Sequence, residues 1–297
     1  MQVAEEMKRV PTPQSSRVGA MIREYWLSLT GLSILAILVL LALTAPILGL
    51  DNPTTQDLQM RLQEPSGDHL FGTDLYGRDL LSRVIYGSRS SLAVAFASVA
   101  MATVAGVMLG LVAGYLGGFY DNFIMRFTDV LMAFPSILLG IGLLAVFGPS
   151  LWSLVVVLAV VQIPTMTRMV RADTLTAKSN EFVEAAHAIG ASHTRIVVRH
   201  VFPSVIPSII VLGTLSLGQA VILESAFGFL GIGVQPPTPS WGNLLSDARA
   251  FLRVAPHTSI IPGMFIALLA LSFNLIGDGL RDFLDPRQRT SFQRASM

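Results

Sequence analysis

EFVEAAHAIGASHTRIVVRHVFP, residues Glu181 to Pro203, is a polar, helix-prone island set between long apolar runs. Helical spacing places Phe182, Ala185, Ala186 and Ile189 at i, i+3, i+4 and i+7, one apolar stripe, with Glu181, Glu184 and Ala188 on the other face. Asn180 stands where an N-cap belongs, Glu181 suits the first turn, and Gly190 can end the helix in the left-handed conformation. The two alanines keep the stripe low, so another backbone can approach closely, and Glu184 offers a carboxylate at its edge. A second short helix is expected from about Ser192 to Pro203, whose missing N–H lets the chain turn back toward the membrane. From these residues alone, a docking surface for a partner and an interfacial helix covering neighbouring spans are equally good readings.

Outward from the island, composition sets the class. Of the residues 52% are apolar and only 13% charged, with a mean hydropathy of +0.63, against roughly a quarter charged in soluble domains. The chain reads as all-α and polytopic in a membrane. A net charge of +1 leaves no basic field to hold nucleic acid. The absence of cysteine removes disulfides, thiol nucleophiles and cysteine metal sites, and no metal is expected.

Six spans are expected. The first is charge-free from Tyr25 to Leu50, about 39 Å as a helix, and is read as a retained transmembrane helix behind a polar leader rather than a cleaved signal. The second lies within Ser90 to Tyr120, broken by Gly114, Gly117 and Gly118. A hairpin of two spans follows, turned at Gly148-Pro149-Ser150; its first span begins near Phe123 and includes Arg126 and Asp129, which share a helix face and can pair. Pro135 and Pro164 are candidate kinks in these spans. The fifth runs from about Ser204 to Phe227 and the sixth from about His257 to Leu280.

Short cytoplasmic loops retain Lys and Arg. With the N-terminus inside, the inner set is Lys8, Arg9, Arg17, Arg23, Arg126, Arg168, Arg171, Lys178, Arg195, Arg199, Arg281, Arg287, Arg289 and Arg294, which is 14 of the 20 basic residues. Arg61, Arg78, Arg83, Arg89, Arg249 and Arg253 fall outside. Both termini and the island then face the cytoplasm. The expected divisions are a cytoplasmic leader 1–24, a first span with an extracytoplasmic segment 25–89, a five-span core 90–285 holding coupling helices at 180–202, and a cytoplasmic tail 286–297.

Glu184-Ala185-Ala186, Gly190 six residues after the glutamate and Pro203 resemble the EAA motif of permease subunits of bacterial ABC importers; His200 and Phe202 depart from the aliphatic residues usual before that proline. Leu70-Phe71-Gly72-Thr73-Asp74 with Gly77-Arg78-Asp79-Leu80-Leu81-Ser82-Arg83, then Phe229-Leu230-Gly231-Ile232-Gly233-Val234-Gln235-Pro236-Pro237-Thr238-Pro239-Ser240-Trp241-Gly242, and Asn274 to Arg287 are similar to the C-type permease of dipeptide, oligopeptide and nickel importers. The resemblance implies a type I (MetI-like) importer permease fold in the bacterial inner membrane. It also implies a coupling helix formed by Glu181, Phe182, Glu184, Ala185, Ala186, Ile189 and Gly190 and seated in a groove of an ATPase. The partners implied are a second homologous permease as a heterodimer, two ATPase subunits that use ATP and Mg, and an extracytoplasmic substrate-binding protein. Peptides are the implied cargo, with nickel complexes or glutathione as alternatives.

Other segments have plainer readings. Gly72 to Arg83 reads equally as an amphipathic elbow on the membrane surface, Gln235 to Ser240 as a stiff connector into the sixth span, and Asp278 with Arg281 as an interfacial anchor. Glu224, an acid late in the fifth span, is a candidate pore or gate residue, though a structural hydrogen-bonding role fits a lone intramembrane acid better. No P-loop, no His-Glu-x-x-His and no Gly-x-Ser-x-Gly occurs, so the chain is not expected to be an enzyme or to bind a cofactor. A secondary transporter, which calls for coupling acids or broken helices in paired repeats, is the weaker alternative.

Overall fold

The computed structural model describes residues 14–284, and side chains from Tyr25 onward; the basic residues before Tyr25 and after Arg281, and the end of the C-terminal motif, lie outside the described side chains. Ten α-helices follow one another: α1 (Gln14–Thr44), α2 (Leu80–Leu116), α3 (Gly118–Met132), α4 (Ser136–Phe147), α5 (Leu151–Lys178), α6 (Glu181–Ala188), α7 (His193–Ile196), α8 (Phe202–Phe229), α9 (Trp241–Ala248) and α10 (His257–Leu284). Among the described residues there is no strand, only an isolated bridge between Thr73 and Asp79. Five helical stretches are long and apolar enough to cross a bilayer, and α3 with α4 make a sixth candidate bent by 93°.

That bend corrects the expected third span. Pro135 disfavours helical geometry in the residue before it, so α3 stops at Met132 and α4 restarts at Ser136. Alone, α4 reaches only about 18 Å, short of the hydrocarbon core. The expected Arg126–Asp129 pair does not form either. Asp129 pairs instead with Arg168, and Asp121 binds Arg171 through both carboxylate oxygens. Two charge pairs therefore pin α3 to α5, because long arginine side chains on the facing helix reach carboxylates that an i, i+3 neighbour does not satisfy.

The second span also differs. It starts at Leu80, well before Ser90, because Arg83 is neutralised inside the protein and Asp79 caps the helix by accepting the Ser82 N–H at 2.8 Å. Gly114 does not break it. With Gly106 and Gly110 it forms a row of close approach, where an added Cβ would lie within 2.7 Å of Met166, Val170 or Thr174 on α5. The row lets the two backbones nest, which makes α5 the centre of the bundle: 56% of its most apolar window is buried, against 17% for α1. The break falls at Gly117, with φ of 68°.

Pro203 does not turn the chain either. The helix continues from His193 to Phe229 through a π-turn at Val197–Val201, where the Phe202 N–H reaches back to the Val197 carbonyl. The wider turn absorbs a proline in the first turn of α8, where its missing N–H is least costly. Pro164 sits inside α5 without ending it.

Three apolar clusters hold the bundle. One joins α1, α2, α8, α9 and α10 around Trp241 and Phe273. A second joins α2, α4, α5 and α8 around Phe227. The third gathers Tyr115, Met166, Val170, Val183, Ala186, Ile196 and Val205 at the end that carries α6. Large apolar side chains such as Leu43, Val104, Met108 and Val146 stay exposed on the helix flanks, as suits contact with lipid.

Candidate functional site

The Schellman arrangement at its end delimits α6. Gly190 takes φ of 79°, its N–H bonds the His187 carbonyl at 2.9 Å, and the Ala191 N–H bonds the Ala186 carbonyl at 3.1 Å. At the start, Asn180 occupies the N-cap position with its side chain making no cap bond; its main-chain carbonyl accepts the Val183 N–H at 2.9 Å. Glu181 and Glu184 both fall in the first turn and are exposed.

The two faces of α6 are occupied differently. Val183 and Ala186, three residues apart, are 1% and 5% exposed and pack into the third cluster. Ala185 and Ile189 point away from the protein, with Ile189 84% exposed, and Phe182 is 45% exposed with one side of its ring beside His200, the centroids 6.3 Å apart. The stripe read from the sequence is thus split: three of its members are outward, and Ala186 turns in beside Val183, which the sequence did not single out.

A polar clasp behind α6 was not legible in the sequence, since its members are far apart in the chain. The Tyr115 hydroxyl, at the end of α2, lies 3.0 Å from His193 Nδ1 and 3.4 Å from His187 Nε2. Lys178 Nζ donates to the Tyr115 carbonyl at 2.8 Å. Through these contacts α6 and α7 are packed against the ends of α2 and α5 as one body.

Glu224 is remote from this site: the 22 residues from Phe202 along α8 place it about 33 Å away. It is fully buried, accepting from the Ser91 hydroxyl at 3.1 Å and the Ser225 hydroxyl at 3.3 Å. Ser91 Oγ in turn accepts the Trp241 N–H at 3.4 Å, and the Trp241 indole donates to the Val84 carbonyl at 2.9 Å. The carboxyl faces serines that join α2, α8 and α9, not an open path. The segment before α2 is an elbow held by charge: Asp74 accepts from Arg78 Nε at 2.6 Å and from Arg83, while Asp247 on α9 accepts from both arginines. No ion pair joins Asp278 to Arg281.

Comparison with known proteins bears on what such a body does. Residues 106–290 match the family model described as binding-protein-dependent transport system inner membrane component. The chain is similar to the dipeptide transport system permease protein DppC of Alkalihalophilus pseudofirmus, with 44% identity over 89% of this chain and 87% of that one. It is also similar to the glutathione transport system permease protein GsiD of Pectobacterium atrosepticum, with 38% identity over 95% and 94% of the two chains. Among solved structures, an inward-facing MetNI methionine ABC transporter superposes with a TM-score of 0.58 at 19% identity, covering 69% of this chain and 98% of that one; at that identity the likeness concerns the fold.

Proposed function

Because this chain belongs to the binding-protein-dependent transport system inner membrane components, we propose that it forms one half of a translocation pore completed by a second, homologous permease. It is a permease subunit of an ABC importer and a multi-pass protein of the bacterial cytoplasmic membrane. On this reading both termini face the cytoplasm, residues 1–24 and 286–297 flank the membrane core there, and α6 is the coupling helix on which an ATPase subunit docks. Two ATPases supply hydrolysis with ATP and Mg, this chain binding neither, and an extracytoplasmic binding protein delivers cargo.

The observation that carries the reading is the division of labour on α6. Its inner face is fixed by Val183, Ala186 and the Tyr115 clasp, while its outer face leaves Ala185, Ile189 and the open side of Phe182 uncovered beside Glu181 and Glu184. Covering a large apolar side chain contributes about 1.5–3 kcal/mol, so a groove that takes Phe182 and Ile189 gains from docking without unfolding anything. Gly190 sharpens the end of the helix and keeps the following chain clear. ATP-driven movement of the docked subunits then biases the pore between inward- and outward-facing arrangements through contacts that differ between the two states.

Di- or oligopeptides are the proposed cargo, in line with the dipeptide permease relative; the glutathione permease relatives favour a second reading in which the cargo is that γ-linked tripeptide. Glu224 is assigned to holding α9 against α2 and α8 rather than to gating. In the assembled importer, Glu184→Lys is expected to abolish ATP-dependent uptake while the subunit remains in the membrane. Uptake at the unaltered rate in that variant contradicts the docking role of α6.

A further inference from the structure

The sequence places no metal on this chain, yet the fold gathers a mixed nitrogen and oxygen donor set from three separate points of the segment between α1 and α2. We propose that Asp51, His69 and Asp79 form a binding site for a divalent cation of the zinc class. Their ligand atoms all lie within 4.8 Å of one another, and His69 Nδ1 is 3.0 Å from Asp79 Oδ1. Ligands with metal bonds of roughly 2.0–2.2 Å stand about 3.4 Å apart around a tetrahedral ion; the His69–Asp79 pair already has nearly that spacing, and the exposed Asp51 carboxylate is free to close the remaining distance.

The three residues open on a cavity of about 250 Å³, which Asn52, Thr55, Asp57 and Met60 also line. Three carboxylates, the His69 imidazole and no lysine or arginine face this space. The arginines of the same segment are committed elsewhere: Arg78 and Arg83 to Asp74 and Asp247, and Arg61 over the Phe251 ring. Beyond the imidazole of His69, itself one of the donors, no cationic side chain lines the cavity to offset its three carboxylates, and a cation is the ligand that the cavity suits. An imidazole among the donors favours zinc-like ions over calcium or magnesium, which prefer oxygen alone.

The donors are also held in place. Asp79 Oδ2 accepts the Ser82 N–H at 2.8 Å, leaving Oδ1 turned toward His69, and the Ser82 hydroxyl bonds the main-chain carbonyl of Asp51. His69 is fixed by its own backbone, whose carbonyl accepts from Ser66 and Gly72, both at 2.8 Å. Such outer contacts orient ligands ahead of binding. An ion here staples the chain leaving α1, the turn at Ser66–Gly72 and the first turn of α2 into one rigid surface. That this surface faces the binding protein rests on the topology proposed above; the binding itself does not.

The test uses the full-length chain in detergent, purified with a tag free of histidine and titrated calorimetrically with ZnCl₂ and, separately, CaCl₂. The expected result is one saturable zinc site, weakened by at least about tenfold in His69→Ala and in Asp51→Asn, with zinc raising the thermal midpoint of the unaltered chain only. Asp51 is exposed, so Asp51→Asn preserves the fold. The double variant His187→Gln/His193→Gln is expected to keep the site, which separates it from the histidine pair behind α6. No saturable zinc binding, unchanged affinity in Asp51→Asn, or tighter binding of calcium than zinc overturns the proposal. Each of these outcomes is read without transport and leaves the importer reading untouched.

Discussion

At Asp74 a single carboxylate answers two guanidinium groups that are themselves 6% and 3% exposed. Removing one partner of a buried charge network leaves the other uncompensated, which costs about 3–5 kcal/mol. Asp74→Ala is therefore expected to lower stability by that amount, measurable as a drop in the thermal midpoint in detergent, whereas Asp247→Ala costs less because Asp247 is partly exposed and Asp74 still satisfies both arginines. Glu224→Ala removes the acceptor of two serine hydroxyls and is expected to cost about 1–3 kcal/mol while leaving the ATPase activity of the assembled complex responsive to cargo. Loss of that response with stability intact contradicts the structural role of Glu224. The Asp74 network could not be read from the sequence, where Arg83 and Asp247 are 164 residues apart. The motif residues were conspicuous, but only the fold shows that they neutralise one another, and that two of the six basic residues counted outside are internal.

Helix by helix, the seam between α2 and α5 and the surface of α6 make opposite predictions. Gly110 sits against Val170 with no room for a side chain, so Gly110→Val forces the helices apart; overpacking of this kind costs about 1–3 kcal/mol, seen as a lower thermal midpoint. Ile189→Asp changes a side chain that touches little of its own protein and is expected to leave stability within about 0.5 kcal/mol of the unaltered chain, with the thermal midpoint essentially unmoved, while abolishing ATP-driven uptake. Equal destabilisation by both substitutions contradicts the assignment of Ile189 to a docking face. The start and end of α6 were legible because the acids of the first turn and Gly190 act locally, although the Asn180 side chain at the cap position makes no cap bond. The orientation of Ala186 was not, since period alone fixes which residues share a face but not which edge of that face meets the protein. The π-turn before Pro203 was missed for the same reason: proline signals a local constraint, and the continuous helix on either side decides how it is met.

Over the described residues, apolar runs located the five helices long and apolar enough to span, because the cost of burying charge in lipid is written along the chain residue by residue, whereas the expected third span is the bent pair α3 and α4. Their ends were less legible where an ion pair lets an arginine enter a helix, as at Arg83, or where α3 leans on α5 through Arg168 and Arg171. Function was legible only through motif order. The structure adds the physical reason for the island: a short helix with one face locked to the bundle and the other free. The most direct test of its role is uptake of a labelled dipeptide into proteoliposomes holding this chain with its partner permease, ATPases and binding protein. Uptake is expected to require hydrolysable ATP, to continue when an ionophore collapses ion gradients, and to vanish with Glu184→Lys. Uptake that proceeds with a nonhydrolysable analogue and is lost with the ionophore contradicts an ATP-driven importer.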